Sequence, residues 1–185
     1  MSEHVGMGTR SVVLVRHGEY RMDDGADPRL TRRGRRQAQL SGAALAHEGF
    51  DRVVTSPLVR ARETCATMLE GWTREAEVSD LLAEGVPTPV ASLGVSGPKA
   101  AIDRARFDEA FDVFFGPARG DERDLLVCHG NLIRYLVTRA LGVSPRTWTR
   151  LNSNHCGITR VLVRDARIRV VSYNETGHLA PDCIT

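Results

Sequence analysis

Two histidines in this sequence each stand directly after a run of apolar residues and directly before a glycine. His17 follows residues 12–15 and Arg16, and His129 follows a second apolar run at 124–128. A neutral imidazole can act as a nucleophile, a neighbouring guanidinium can hold an anion, and a glycine allows close approach of the backbone. Two imidazoles and an arginine at one place suit phosphoryl transfer, in which cations hold the non-bridging oxygens of the phosphate.

The two histidines are expected to meet because of the elements that carry them. Both apolar runs have the continuous pattern of buried, parallel strands. Parallel strands joined by helical crossovers end side by side, at the carboxyl edge where open α/β folds bind their ligands. Residues 77–97, which are rich in proline, glycine and serine, are expected to form an excursion over this same edge.

Strand-like and helix-like segments alternate along most of the chain, which predicts a single α/β domain over residues 1–185. The last two strands are separated only by a tight turn, so the sheet is predicted to be mixed and mostly parallel, with a C-terminal antiparallel hairpin. Predicted strands cover residues 12–15, 51–55, 124–128, 157–164 and 167–173, and predicted helices cover 31–49, 57–70, 98–115 and 132–141, with a short helix from 145. Thr31 is the expected N-cap of the first helix, and Pro57 is expected in the first turn of the second.

Composition and charge narrow the class of protein. The chain has 42% hydrophobic and 26% charged residues and a net charge of +2, which is ordinary for a globular protein. Few aromatic residues and no recognisable motif argue against a nucleic-acid partner, and no stretch reaches the length of a membrane span. The four cysteines fit no metal-site spacing, so we expect reduced thiols in a cytoplasmic protein. Residues 1–10 contain no signal-peptide core and are expected to be disordered.

Four motifs, in order along the chain, resemble those of the histidine phosphatase, or phosphoglycerate-mutase-like, superfamily. They are Arg16-His17-Gly18-Glu19, Leu30-Thr31-x-x-Gly34-x-x-Gln37-Ala38, Thr55-Ser56-Pro57-Leu58-x-Arg60-Ala61-x-Glu63-Thr64 and His129-Gly130-Asn131-Leu132-Ile133-Arg134. The resemblance implies a three-layer α/β/α sandwich. It also implies a phosphatase that uses no metal ion and no other cofactor.

The resemblance further implies roles for five residues. His17 is the nucleophile that becomes phosphorylated, Arg16, Arg60 and His129 complete a pocket for the phosphate, and Glu84 protonates the leaving oxygen. Physical chemistry agrees with these roles, because neighbouring arginines lower the pKa of a histidine that must be neutral to attack. A carboxylic acid can protonate a leaving group when its own pKa is raised.

Other interpretations compete for two of these residues. Arg60 has Glu63 on its own predicted helix as an alternative partner. Glu84 has the alternative of a solvated acid in a loop, in which case Glu75 or Glu77 is the substitute proton donor.

Several further polar residues have two interpretations each. Ser56 is predicted either to orient the phosphate pocket from a helix N-terminus or to cap that helix. Asn131 is predicted to contact the phosphate or to cap its own helix. His155 and His178 are interpreted as surface residues or as loop residues whose hydrogen bonds are satisfied within the protein.

Charged residues near the first motif are expected to act through ion pairs and long-range attraction. Glu19 is predicted to pair with Arg16 or another basic group. A cluster of arginines is expected to be a solvated helix face or to guide an acidic substrate to the site. Its members are Arg29, Arg32, Arg33, Arg35 and Arg36.

Within the superfamily, residues 80–87, 128–135 and 176–185 resemble a subfamily of serine/threonine protein phosphatases. A mutase is disfavoured, because the segment after Glu84 lacks the mutases' extended motif and Asp23 replaces their asparagine. The predicted function is therefore hydrolysis of phosphomonoesters through a phosphohistidine intermediate, on phosphoserine or phosphothreonine in proteins or on a small molecule such as a sugar, nucleotide or glycerate phosphate. An inactive phosphoprotein-binding module is a further alternative, and a homodimer is expected.

Overall fold

A six-stranded sheet with helices on both faces organises the chain. The computed structural model describes residues 8–21, 25–165 and 167–185. The strands are β1 (Thr9–Arg16), β2 (Arg52–Thr55), β3 (Glu77–Val78), β4 (Glu122–Cys128), β5 (Ile158–Arg164) and β6 (Arg167–Glu175). The α-helices are α1 (Arg32–Leu45), α2 (Val59–Met68), α3 (Gly97–Phe114) and α4 (Gly130–Ala140). Short 3₁₀ turns cover Asp80–Leu82, Ala91–Leu93, Pro145–Arg150 and Pro181–Cys183.

The strand order brings the two histidine motifs together. The strands lie in the order β3-β2-β4-β1-β5-β6. The β3–β2, β2–β4 and β4–β1 pairs are parallel, and the β1–β5 and β5–β6 pairs are antiparallel. This confirms the predicted mixed sheet with its C-terminal hairpin. Because β1 and β4 are adjacent and Arg16 lies opposite Cys128, the residues that follow both strands leave the sheet side by side.

Two separate cores flank the sheet, because successive side chains of a strand point to opposite faces. Val12 and Leu14 belong to a core that also contains buried residues of α3 and α4, whereas Val13 and Val15 belong to a core with α1 and α2. The predicted three-layer α/β/α sandwich is therefore confirmed. All four cysteines are buried and free, in agreement with the prediction of unpaired thiols.

The second helix begins later than its sequence predicts. Pro57 precedes α2 rather than opening it, and Leu58 is the extended N-cap residue. The Asp27 carboxylate accepts hydrogen bonds of 3.0 Å from the Val59 N–H, and satisfies a donor that the first turn of a helix leaves free. A distant loop residue thus sets the start of α2. Thr31 caps α1 as predicted, and its hydroxyl accepts from the Gly34 N–H at 3.0 Å.

Two expectations for the N-terminal part fall partly outside the described residues. Thr9 and Arg10 already belong to β1, so the predicted disorder is wrong for these two residues, whereas residues 1–7 lie outside the described ranges. Asp23 also lies outside them. Within the described ranges, none of the helices combines the length and apolar character needed to cross a membrane.

Candidate active site

His17 and His129 meet at the carboxyl edge of the sheet, as predicted. The His17 N–H donates to the Cys128 carbonyl at 2.9 Å, and the two imidazole centroids lie 5.0 Å apart. Gly18 has no room for a side chain, since a Cβ there would lie 2.5 Å from the carbonyl oxygen of Gly34 in α1. This close approach of backbone to helix holds the loop that carries His17.

The hydrogen bonds of His17 show which of its ring nitrogens holds the lone pair. Nδ1 lies 2.8 Å from the Gly18 carbonyl oxygen, which can only accept, so Nδ1 carries the proton. Nε2 accepts a 3.3 Å hydrogen bond from Nε of Arg60, and therefore holds the lone pair. Burial, reinforced by the charges of His129 and Arg16, keeps the pKa of His17 well below its ordinary value of 6.5. His17 is thus a buried neutral imidazole with a free electron pair on Nε2.

His129 presents a hydrogen-bond donor to the same space. Its Nε2 lies 2.7 Å from the Ser56 hydroxyl, and the Leu58 N–H donates to that same hydroxyl oxygen at 3.3 Å. Nδ1 of His129 faces the Glu84 carboxyl, an acceptor group at 3.9 Å, so we assign the proton to Nδ1 and the Ser56 hydroxyl as the donor to Nε2. Burial, followed by the charges of Arg60 and Arg16, keeps the pKa of His129 well below 6.5. Ser56 therefore orients His129, and its hydroxyl also accepts from Leu58, the N-cap residue just before α2.

Two guanidiniums supply the positive charge. Arg60 lies beside His17, stacks over the Tyr20 ring at 5.1 Å and has Asp27 at 3.6 Å. Its predicted alternative partner, Glu63, instead pairs with arginines of the cluster around α1. Arg16 donates to the Ser153 carbonyl oxygen and, at 2.9 Å, to Nε2 of His155. Both guanidiniums therefore lie close to the neutral imidazole of His17.

Glu84 lies opposite the two imidazoles, as predicted for a proton donor. Its Oε2 is 3.9 Å from Nδ1 of His129, and its side chain is 29% exposed. Burial raises the pKa of this carboxyl, while the Gly85 N–H and the nearby arginines Arg60 and Arg16 oppose that rise. We call Arg16, His17, Arg60, Glu84 and His129 the strand-end cluster.

The loop that carries Glu84 is held by side chains that its own sequence does not contain. Arg106 of α3 donates to the Ala83 carbonyl oxygen at 2.5 Å and to that of Glu84 at 2.9 Å. Asn131 donates to the Gly85 carbonyl oxygen at 2.9 Å, and its amide oxygen accepts from Arg134. Asn131 was predicted to contact phosphate or to cap its helix, whereas here both ends of its amide hold the Glu84 loop and α4. Sequence reasoning did not identify Arg106.

Two buried donors of the strand-end cluster have no hydrogen-bond partner among the described residues. They are Nε of Arg16 and Nδ1 of His129. An oxyanion satisfies such donors, since buried N–H groups without partners are costly. His17, Glu84 and His129 also bring one nitrogen or oxygen each within 4.8 Å of one another, a spacing that could hold a metal ion. The adjacent guanidiniums favour an anion over a cation at this position.

The substitute proton donors lie elsewhere. Glu77 belongs to β3, the outermost strand on its side of the sheet, and pairs with Arg52 at 2.9 Å. Glu75 is exposed in the segment just before β3. Glu19 does pair with a basic group, but with Arg33 at 3.0 Å rather than with Arg16. The geometry therefore favours Glu84 over the two other acids.

His155 was interpreted as a surface or internally satisfied loop residue, and only the second description fits. Its ring is hydrogen-bonded through both nitrogens and its centroid lies 5.6 Å from that of His17. His178, by contrast, bonds to the Ser41 hydroxyl at 2.9 Å, outside the strand-end cluster. No local motif distinguishes the two histidines, because the partners of His155 are far away in sequence.

The strand-end cluster combines groups suited to phosphoryl transfer. It contains a neutral imidazole with a free lone pair, a second histidine, two arginines and a protonatable carboxyl, all at one edge of an α/β sandwich. The profile of the histidine phosphatase superfamily (branch 1) matches residues 12–86 and 97–176. The chain therefore belongs to the histidine phosphatase superfamily, branch 1, and is a phosphatase.

Known relatives agree with this family. The chain is 34% identical over 199 aligned positions to serine/threonine-protein phosphatase PGAM5, mitochondrial, of Mus musculus, an alignment covering 100% of this chain and 69% of that protein. The Homo sapiens protein of the same name is also 34% identical, with the same coverage. A mutant phosphoserine phosphatase of Entamoeba histolytica, solved with phosphoserine, superimposes with a TM-score of 0.75 at 20% identity, covering 92% of this chain and 100% of that one.

Proposed function

We propose that this phosphatase hydrolyses phosphomonoesters without a metal ion, through a phosphohistidine formed on Nε2 of His17. The observation that carries the proposal is the pairing of Nδ1 with the Gly18 carbonyl, which leaves the electron pair on Nε2. That pair forms a bond to phosphorus while the bond from phosphorus to the ester oxygen breaks. Glu84 transfers its proton to the departing oxygen.

The second half of the reaction uses the same groups in reverse. A water molecule attacks phosphorus, the bond from phosphorus to Nε2 breaks, and the Glu84 carboxylate accepts the proton that the water loses. Arg16, Arg60 and the Nδ1–H of His129 hold the non-bridging oxygens throughout. Because these donors are fixed in a buried site, they stabilise the transition state without reorganising.

The substrate class proposed is phosphoserine and phosphothreonine in proteins. Support comes from the similarity, over all of this chain and 69% of each relative, to proteins named serine/threonine-protein phosphatase. A small phosphomonoester is the second candidate, because the superimposed structures include a putative alpha-ribazole-5'-P phosphatase of Escherichia coli, with a TM-score of 0.76.

A substrate panel in the presence of a chelator tests the reaction and its substrate together. After treatment with EDTA, the protein is expected to hydrolyse p-nitrophenyl phosphate at an unchanged rate. Phosphoserine and phosphothreonine peptides are expected to have higher kcat/KM values than free phosphoserine or sugar, nucleotide and glycerate phosphates. Strict dependence on an added divalent ion contradicts the mechanism, and a preference for a free small molecule contradicts the protein substrate.

The pH dependence of kcat follows from the two shifted groups. The pKa of His17 lies well below 6.5, so the nucleophile stays neutral as the pH falls below neutrality. The pKa of Glu84 lies above its ordinary value of 4.5, so the donor loses its proton only as the pH rises through that higher value. We expect kcat for a phosphoserine peptide to be highest on the acidic side of neutrality and to fall as the pH rises.

Steady-state assays from about pH 4 to about pH 9 measure this profile, whose descending limb reports the catalytic acid. The Glu84→Gln variant is expected to lose that descending limb. A wild-type rate that instead climbs through pH 6.5 shows that His17 titrates like an ordinary histidine, and contradicts the assignment.

We also propose a cytoplasmic location, which rests on the four buried free thiols and the reducing compartments in which such thiols persist. The names of the PGAM5 relatives carry the word mitochondrial. Fractionation of the source cells with an antibody to the protein is the direct measurement, and recovery in a membrane fraction contradicts the proposal.

A further inference from the structure

The guanidinium of Arg16 is oriented by neutral acceptors. Its Nη1 donates to the Ser153 carbonyl oxygen and its Nη2 donates to Nε2 of His155 at 2.9 Å. Arg16 takes part in none of the ion pairs formed among the described residues. A carboxylate in either place would orient the guanidinium equally well, but would also cancel the charge that a phosphate needs.

His155 is in turn locked in one tautomer. Its Nδ1 lies 3.0 Å from the Thr185 hydroxyl, and its backbone N–H donates to the Thr185 carbonyl oxygen at 2.8 Å. Since Nε2 accepts from Arg16, Nδ1 is the protonated nitrogen and donates to the hydroxyl. The same hydroxyl oxygen accepts from the buried Gln37 amide at 2.9 Å. The Thr185 hydroxyl oxygen thus accepts two hydrogen bonds, one from His155 and one from Gln37, and both of its lone pairs are used.

Gln37 connects this chain of hydrogen bonds back to the loop that carries His17. Its amide oxygen accepts from the Glu19 N–H at 2.7 Å, two residues beyond His17. The path from Arg16 through His155, Thr185 and Gln37 therefore begins and ends on residues that flank the nucleophile. Satisfied networks of this kind rigidify a site.

The imidazole of His155 stays neutral over the working range of the protein. Burial and the charge of Arg16 lower its pKa to about 3. The other aromatic groups around it are His17, at 5.6 Å, and Tyr20, at 6.0 Å. His155 therefore offers Arg16 an uncharged acceptor whether the pH is mildly acidic or neutral.

We propose that His155 is a positioning residue that aims Arg16 at the substrate phosphate while leaving the charge of Arg16 whole, with Thr185 holding His155 in the required tautomer. The inference rests on the proposed function, because it takes Arg16 to be a phosphate ligand. It assigns no contact between His155 and the substrate itself.

Three substitutions at one position separate the parts of this proposal. His155→Gln places an amide oxygen near the position of Nε2, His155→Leu removes the acceptor, and His155→Glu supplies an acceptor with a negative charge. The measured quantity is the inhibition constant of inorganic phosphate against p-nitrophenyl phosphate. A lost hydrogen bond to a charged group predicts an increase of about tenfold or more for Leu. We expect a similar increase in the inhibition constant for His155→Glu, and an increase below about threefold for His155→Gln.

Each other pattern overturns the proposal. If phosphate inhibits His155→Leu within about twofold of wild type, the acceptor does not position Arg16. If His155→Glu binds phosphate as well as His155→Gln does, the neutrality of the acceptor is irrelevant. If His155→Gln raises the inhibition constant of phosphate as much as His155→Leu does, loss of the hydrogen bond to Arg16 is not the cause of the weaker binding. Failure of the proposed function is recognised separately, since wild type would then show neither turnover nor competitive inhibition by phosphate.

A spectroscopic measurement on the wild-type protein covers the case in which a variant does not fold. Long-range ¹⁵N–¹H spectra report which ring nitrogen of His155 carries the proton. We expect protonation at Nδ1 in wild type. In Thr185→Val, in which Nδ1 loses its hydroxyl partner, we expect a raised inhibition constant for phosphate. A proton on Nε2 in wild type would point an N–H at Arg16 and overturn the proposal.

Discussion

Replacing His17 by alanine is expected to lower kcat/KM for p-nitrophenyl phosphate by at least about 10⁴-fold, as loss of an enzyme nucleophile does elsewhere. The reason is that Nε2 is the atom proposed to form the bond to phosphorus, and among the described residues no neighbouring imidazole presents an equivalent lone pair to the same space. His129 directs a proton, not a lone pair, into the same space, because its Nε2 faces Ser56. Steady-state kinetics on the purified variant measure the loss.

A matched histidine outside the strand-end cluster provides the control. His178→Ala removes a half-buried imidazole that bonds to Ser41, and is expected to retain wild-type kinetics. Labelling with a ³²P-phosphopeptide followed by an alkaline quench is expected to trap base-stable phosphohistidine in wild type and none in His17→Ala. Substantial turnover or labelling in His17→Ala shows that another group attacks phosphorus.

The substitution Glu84→Gln is expected to slow hydrolysis of a phosphoserine peptide by about 10²-fold to 10⁴-fold, the usual contribution of a general acid. The serine alkoxide is a poor leaving group and depends on the proton that Glu84 provides. For p-nitrophenyl phosphate, whose phenolate leaves without a proton, the expected loss is less than about tenfold. The measured quantity is the ratio of kcat/KM values for the two substrates. This parameter reports the formation of the phosphohistidine, whereas kcat also contains its hydrolysis, in which Glu84 acts as the base for both substrates.

Glu77→Gln is the control for this experiment, because Glu77 was the substitute donor and pairs with Arg52 on β3. It is expected to leave the ratio unchanged. If Glu84→Gln slows both substrates equally, Glu84 binds the substrate and does not protonate the leaving group. A changed ratio in Glu77→Gln assigns the donor role to the other acid.

The positions of His17 and His129 could be predicted because each follows a strand with a clear local pattern, whereas the roles of Arg60 and Glu84 were implied only by the resemblance to the superfamily. The apolar runs before His17 and His129 predict buried strands, and adjacent strands bring their ends together. The start of α2 could not be predicted in this way, since it depends on Asp27, which caps Val59 from a distant loop. Local preference for proline in a first turn was overridden by that tertiary contact.

The supporting contacts of His155 and Arg106 could not be predicted, for the same physical reason. His155 accepts a hydrogen bond from Arg16, which lies 139 positions earlier in the chain. Arg106 donates hydrogen bonds to the loop that carries Glu84, more than twenty positions before it. Neither residue lies in a motif or has a pattern of neighbours that marks it. Hydrogen bonds of this kind are specified by the folded arrangement of α3, β1 and the segment after α4, which no local window contains.

The neutral acceptors around Arg16 also have a consequence for the stability of the protein, if phosphate binds there. A ligand that binds only the folded state shifts the folding equilibrium by mass action, and inorganic phosphate is such a ligand if Arg16 and His129 hold it. Cells rich in free phosphate would then keep more of this enzyme folded and protected from proteases. An arginine neutralised by a carboxylate would abolish that dependence together with the affinity. The charge that Arg16 keeps free for a substrate phosphate would thus couple the stability of the folded enzyme to the concentration of phosphate.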